Sequence, residues 1–336
     1  MKIGRMAKMG LAALKANTFD RRVPLNVMLA VTNRCAGNCA YCRIPQRDAG
    51  ELTQAEICGI IDEISALGCQ RLGLWGGEPL VRDDINDIIL HAKGKGIFVT
   101  MDSNGFLLPQ KTYVLRGLDH LVLALDGEEA SHDANRGQGS FLKAMAAIEA
   151  AAGLVPTWTI TVITKNNLGS LDFILETAEK YGMLATFQVL HHNDVLARPY
   201  ADLRPPDEAS RQFVRRVIER KKKGAPIAST FRYLEHLLRW PDLSVATSEA
   251  PLKSAQCWAG RLYCNVDTDG SLYPCSLMVG KGQAPNALKL GFKEAFAKLT
   301  TGGCRSCCAS CFTEYNYLFS LDAQTVAAWC RSMARR

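Results

Sequence analysis

Residues 25–42 read LNVMLAVTNRCAGNCAYC. An apolar run rich in Val and Leu (25–32) passes directly into a polar loop holding Cys35, Cys39 and Cys42. The run has the length and composition of a buried strand. Segments 71–75, 97–102, 121–125, 157–163 and 185–190 repeat it, and helical periodicity fills the gaps at 53–67, 84–93, 111–116, 141–152 and 171–181. Thr53, with Glu56 three residues on, carries a capping-box signature. Short apolar runs alternating with helices predict βα units on a parallel sheet. Six repeats are too few for the closed eight-fold barrel and suit an α/β fold built on a partial (β/α)6 TIM-like barrel.

In such sheets ligands lie beyond the carboxyl ends of the strands. The polar and Gly-rich segments 33–47, 76–79, 102–105, 126–127, 165–167 and 191–194 all fall there, so they are expected to converge on one pocket. Residues 1–22 read as a basic amphipathic helix that caps the main domain, with membrane contact as a lesser alternative. Two helices, 208–223 and 230–240, precede a Pro- and Ser-containing connector at 241–254. The expected division is therefore 1–23, 24–240 and 241–336. Asp267-Thr268-Asp269-Gly270 between two alternating segments signals a hairpin in the last part.

The net charge of +7 is mild for 336 residues. Arg215, Arg216 and the basic run 220–223 share one helix and read as a solvated face, so nucleic-acid binding is not expected. No stretch approaches the roughly 18 apolar residues of a membrane span, and no secretory signal opens the chain. A cytoplasmic protein is expected. Thirteen cysteines are the compositional outlier. In a reducing compartment clustered cysteines point to metal or redox chemistry.

Three thiolates in the first loop suit iron–sulfur or zinc chemistry. A structural zinc site would want a fourth ligand close by, whereas three ligands leave an open position for chemistry. The spacing Cys35-x3-Cys39-x2-Cys42 after the first strand resembles the signature of the radical S-adenosylmethionine superfamily. So do Gly76-Gly77-Glu78-Pro79 after the second strand, Ser103-Asn104-Gly105 after the third, and Leu125-Asp126-Gly127 with His132 and Arg136-Gly137 after the fourth. The resemblance covers about residues 24–195. It implies a [4Fe–4S] cluster on Cys35, Cys39 and Cys42, with the fourth iron left for S-adenosylmethionine. Tyr41 would pack near the adenine, Gly76, Gly77, Glu78 and Pro79 would meet the methionine amino group, and Ser103 and Asn104 would line the ribose and carboxylate. Arg136 suits an anionic group on the cofactor. Cys58 and Cys69 read as buried structural thiols.

A second group, Cys257, Cys264, Cys275, Cys304, Cys307, Cys308, Cys311 and Cys330, occupies the last third. It resembles the auxiliary-cluster domain called SPASM and its shortened relative, twitch, with Gly270-x4-Cys275 in place and Cys304–Cys311 compressed. The resemblance implies one or two auxiliary [4Fe–4S] clusters. Cys257, Cys264, Cys275 and Cys311 would hold the first, and Cys304, Cys307, Cys308 and Cys330 are candidates for a second.

The implied opening step is reductive cleavage of S-adenosylmethionine, fed by an external one-electron reductant of flavodoxin or ferredoxin type. The 5′-deoxyadenosyl radical then abstracts hydrogen from substrate. Only about 24 residues precede the first strand, too few for a folded peptide-docking domain. That tilts the expected substrate toward a small molecule (a sugar, nucleoside or lipid precursor), with a peptide delivered by a partner protein as the alternative. His191, His192 and Asp126 are candidate catalytic groups. A non-catalytic iron–sulfur electron carrier and a zinc scaffold are the readings from other classes.

Overall fold

The computed structural model describes residues 3–19, 21–191, 193, 195–198 and 202–334. Helix α1 (Ile3–Phe19) leads into β1 (Asn26–Thr32), and five further units follow. They run α2 (Gln54–Ala66), β2 (Arg71–Gly76), α3 (Ile85–Gly94), β3 (Phe98–Ser103), β4 (His120–Ala124), α4 (Glu129–Arg136), α5 (Ser140–Ala151), β5 (Thr157–Ile163), α6 (Leu171–Lys180) and β6 (Leu184–Val189). Each strand pairs in parallel with the next in sequence. Right-handed crossovers between neighbouring strands put every helix on the same face, which leaves the other face to curve around a lumen.

Side chains alternate between those faces. Val27, Leu29, Leu72, Leu74, Val99, Met101, Leu121 and Leu123 point to the helices and are buried against Ile57, Ile61, Ile64, Ile88 and Ile148. The lumen side is different. On β5, Trp158, Ile160 and Val162 are half-buried while the residues between them are buried. An interior wide enough to wet apolar side chains has room for a ligand.

The remaining elements are α7 (Asp207–Lys222), α8 (Phe231–Arg239), β7 (Thr247–Ser248), β8 (Tyr263–Val266), β9 (Leu272–Tyr273), α9 (Ala287–Leu290), α10 (Phe292–Ala297), β10 (Ser306–Cys307), α11 (Ser310–Phe319) and α12 (Ala323–Ala334). The expected hairpin is present as β8 and β9, closed around Gly270 at φ 82°. Strand β8 also pairs in parallel with the free edge of β1. The cysteine-rich region therefore extends the barrel sheet, whose order is β6-β5-β4-β3-β2-β1-β8-β9.

The expected capping box is formed: Thr53 Oγ1 accepts from the Glu56 amide and the Thr53 amide donates to Glu56 Oε2. Three expectations change. Segment 111–116 is a 3-10 turn, Thr112–Gly117, and not an α-helix. Helix α4 escapes pattern reading because EASHDANR has no apolar stripe. Helix α1 caps the C-terminal region: Met9, Ala13 and Ala16 are buried and Asn17 Nδ2 donates to the Phe319 carbonyl. The basic run on α7 is a solvated face, with Arg215 on Glu208 and Arg220 on Asp172. None of the described helices is long and apolar enough to cross a membrane.

Candidate active site

The loop after β1 is pinned at several points. The Ala40 amide donates to the Asn135 carbonyl of α4, and the Arg43 amide donates to Leu196 O while the Arg198 amide donates to Tyr41 O. Cys35, Cys39 and Cys42 face the strand ends from this frame, each partly exposed. Their sulfurs meet N–H donors. The Gly37 amide is 3.3 Å and Asn104 Nδ2 3.5 Å from Cys35 Sγ, and Arg136 Nη1 is 3.9 Å from Cys39 Sγ. Burial, aided by Glu78 and the two neighbouring thiols, pushes Cys35 up to about 11, and burial also raises Cys42. Thiolates in such a place need cationic charge among them, which is what iron supplies. Donor type and mutual repulsion thus both fit a [4Fe–4S] cluster on these three residues.

The two glycines after β2 serve the protein's own backbone. A Cβ on Gly76 would lie 2.3 Å from Thr32 O, and one on Gly77 2.3 Å from Arg34 O. Their absence lets the Gly77 amide donate to Thr32 O and the Glu78 amide to Arg34 O, clamping this loop to the start of the cysteine loop. Glu78 is fully buried. Its Oε1 accepts from the Leu80 amide and Ser103 Oγ, and its Oε2 accepts from the Asn104 amide at 2.7 Å. Burial holds it up at about 7 in spite of those bonds. Glu78 therefore ties the β2 loop to the β3 loop and is not displayed to a ligand. Pro79, also buried, starts the 3-10 turn that follows. Ser103 is engaged by Glu78 and the Gly105 amide, which leaves Asn104 as the member of that loop facing the thiols.

Arg136 and Asp126 are likewise turned toward each other. Arg136 Nε donates to Asp126 Oδ2 at 2.8 Å, and the Tyr41 hydroxyl and Val162 amide also donate to that carboxylate. Asp126 is wholly buried, so it is a clamp beneath the cysteine loop and not a group that touches substrate. Arg136 lies over the Tyr41 ring at 5.7 Å and meets Cys39, so its anionic neighbour is the cluster loop. His132 accepts from the Asp126 amide through Nδ1, and burial lowers it to about 4. His191 Nδ1 is 2.9 Å from Gln188 Nε2 at the end of β6, above the lumen. His192 lies outside the described residues.

The second thiol group resolves differently from expectation. Cys257, Cys275, Cys304 and Cys307 line one enclosed cavity with Tyr263, Leu277, Met278 and Phe312. Cys264 lies on the other face of β8, fully buried near Cys69. Cys308 neighbours Cys307 in extended backbone, so the period of two sends it the opposite way, toward the Val245 carbonyl. Cys311 is turned to the barrel lumen, where Asp102 and Arg71 are its charged neighbours. Cys330 is exposed on α12. Spacing alone could not show this, because it says nothing of which face each thiol takes. Among the described residues no three His, Cys, Asp or Glu side chains converge on a point fit for a single ion. Four thiols around a shared cavity suit a fully ligated auxiliary cluster.

The model of the radical SAM superfamily matches residues 29–178. The mycofactocin maturase MftC of Mycobacterium tuberculosis is 28% identical over 311 residues, covering 86% of this chain and 77% of its own. The AdoMet-dependent heme synthase of Methanosarcina barkeri is 29% identical over 276 residues, covering 76% and 77%. Streptococcus suis SuiB, solved with S-adenosylmethionine, superposes with a TM-score of 0.67 at 16% identity, over 85% of this chain and 68% of SuiB. A further SuiB structure holds its precursor peptide SuiA.

Proposed function

Because the chain belongs to the radical S-adenosylmethionine superfamily and is an enzyme of it, we propose that it modifies a peptide, using one cluster on Cys35, Cys39 and Cys42 and one auxiliary cluster on Cys257, Cys275, Cys304 and Cys307. When loaded, the first centre and S-adenosylmethionine supply a 5′-deoxyadenosyl radical for hydrogen abstraction, and the auxiliary centre supplies a one-electron relay. The protein's part is positional. Gly37, Asn104 and Arg136 direct N–H donors at the first thiolates and stabilise their charge. Glu78 and Asp126 lock the three loops that meet there, so the cofactor is held without rearrangement at the moment of reaction. Four protein thiols leave the auxiliary centre no open position, which favours electron transfer over substrate ligation. The electron source is an external flavodoxin- or ferredoxin-type reductant.

The observation that carries the peptide reading is the match to a maturase along 86% of the chain. It is preferred to the small molecule expected from the short leading segment. The heme-synthase match favours a small molecule as the second reading. Anaerobically reconstituted protein should hold about eight irons, at four per cubane cluster. Replacing Cys35, Cys39 and Cys42 by Ala should remove about half of them and all 5′-deoxyadenosine formation under dithionite. Replacing Cys304 or Cys307 by Ser should remove the other half, whereas Cys308→Ser should remove none. Extracts that stimulate 5′-deoxyadenosine formation should lose that power on protease treatment. Stimulation that survives protease gives the small-molecule reading the field.

A further inference from the structure

Several arginines drawn away from solvent in this fold come with a carboxylate. Arg47 meets Asp267, Arg82 meets Asp84 and Arg136 meets Asp126, each pair within 2.8 Å. Arg71 does not. It starts β2, half-buried, on the lumen face that Gly73 and Trp75 share. Its Nη1 donates to Asn26 Oδ1 at 2.8 Å and touches Met28 Sδ at 3.4 Å, and its guanidinium lies 5.7 Å from the Tyr315 ring centroid. No carboxylate of the described residues comes within ion-pair range of it. A guanidinium with five donors, largely withdrawn from water and one well-placed bond made, is incomplete.

Its surroundings are incomplete in the same direction. The Trp75 indole N–H has no acceptor, and Asn265, fully buried and paired in register with Met28, has neither amide atom satisfied. Asp102 faces the same space from β3, one residue before the cofactor loop, with no hydrogen bond to it; burial raises it to about 6 in spite of Arg71. Asp102 lies outside ion-pair range of Arg71, so the remaining donors of the guanidinium stay unfilled. Across the lumen the wall is apolar, formed by Val122, Trp158, Ile160 and Val162. Cys311 opens onto the lumen beside the polar wall.

We propose that Arg71 and the Trp75 indole N–H form a carboxylate-binding subsite in the lumen, and that the substrate presents there either a free C-terminal carboxylate or an acidic side chain while its apolar part rests on Trp158 and Ile160. Arg71 completes its fork on the carboxylate. The subsite names the substrate class within the peptide reading and rests on it.

Cys311 is the reporter for the test. Cluster-loaded protein is treated anaerobically with iodoacetamide, and alkylation of Cys311 is followed by peptide mass mapping in the presence of four probes. These are N-acetylphenylalanine, its amide, N-acetylglutamate amidated at its α-carboxyl, and phenethylamine. The expected result is saturable protection by an acid and none by the phenylalanine amide or the amine. N-acetylphenylalanine protecting alone indicates a chain terminus, and the blocked glutamate protecting alone an acidic side chain. Arg71→Met should weaken the protecting acid about tenfold, with Arg71→Lys between the two. Equal protection by acid and amide, better protection by the amine, or no protection overturns the subsite, and these comparisons need only the wild-type protein. 5′-Deoxyadenosine formation is measured on the same samples. Its loss alongside intact protection counts against the enzyme reading, and protection lost alongside intact cleavage counts against the subsite alone.

Discussion

At the scale of single residues, the polar groups nearest the first cluster are held by one another. Asp126 accepts from Arg136, Tyr41 and Val162 with no solvent contact. Removing one partner of a buried pair leaves the other charge uncompensated, which costs about 3–5 kcal/mol. Asp126→Asn should therefore lower unfolding stability by that order, seen as a fall in the urea midpoint of the loaded protein. A loss below about 1 kcal/mol would show that Arg136 finds its partner elsewhere. The motif residues could be found from their order along the sequence. Their roles could not, because burial decides whether a carboxylate is displayed or engaged. Glu78 and Asp126 are both conspicuous in sequence and both prove to be internal fastenings, while Arg71 carries no motif and stands out only once its missing partner is seen.

At the scale of elements, all six barrel strands and most helices were legible, since period-two and period-3.6 patterns report which faces are dry. Helix α4 was not, because its face is satisfied by polar contacts such as Asn135 with Thr164. The packing of α8 on α11 was not legible either, and it carries a titration. The Thr230 amide and hydroxyl both donate to Glu314, which burial pushes up to about 7. A carboxyl raised in the folded state binds its proton more tightly there than in the unfolded chain. Its contribution is present in full below the unfolded value and is lost as pH rises through about 4.5 to 7. Glu314→Gln cannot ionise, so its unfolding stability should decline less than wild type between pH 5 and 7.5, by up to about 2 kcal/mol. Parallel pH profiles for the two proteins would remove Glu314 as the cause.

At the scale of the whole molecule, sequence suggested two metal regions in two domains, whereas the sheet runs through both. Pairing of β8 with β1 joins strands more than 200 residues apart, a contact that no local pattern encodes. The same region holds a fastening between the two centres. Arg47, five residues past Cys42, is paired with Asp267 in the turn of the β8–β9 hairpin, and Asn33 Nδ2 donates to Thr268 Oγ1. Cys275 follows that hairpin directly. Ordering either end thus relieves the other of part of its conformational entropy, which is positive cooperativity between cofactor insertions. Maturation should then be close to all-or-none. Native mass spectra taken at half the required iron should show empty and doubly loaded molecules in excess over singly loaded ones, and Asp267→Asn should restore a statistical mixture.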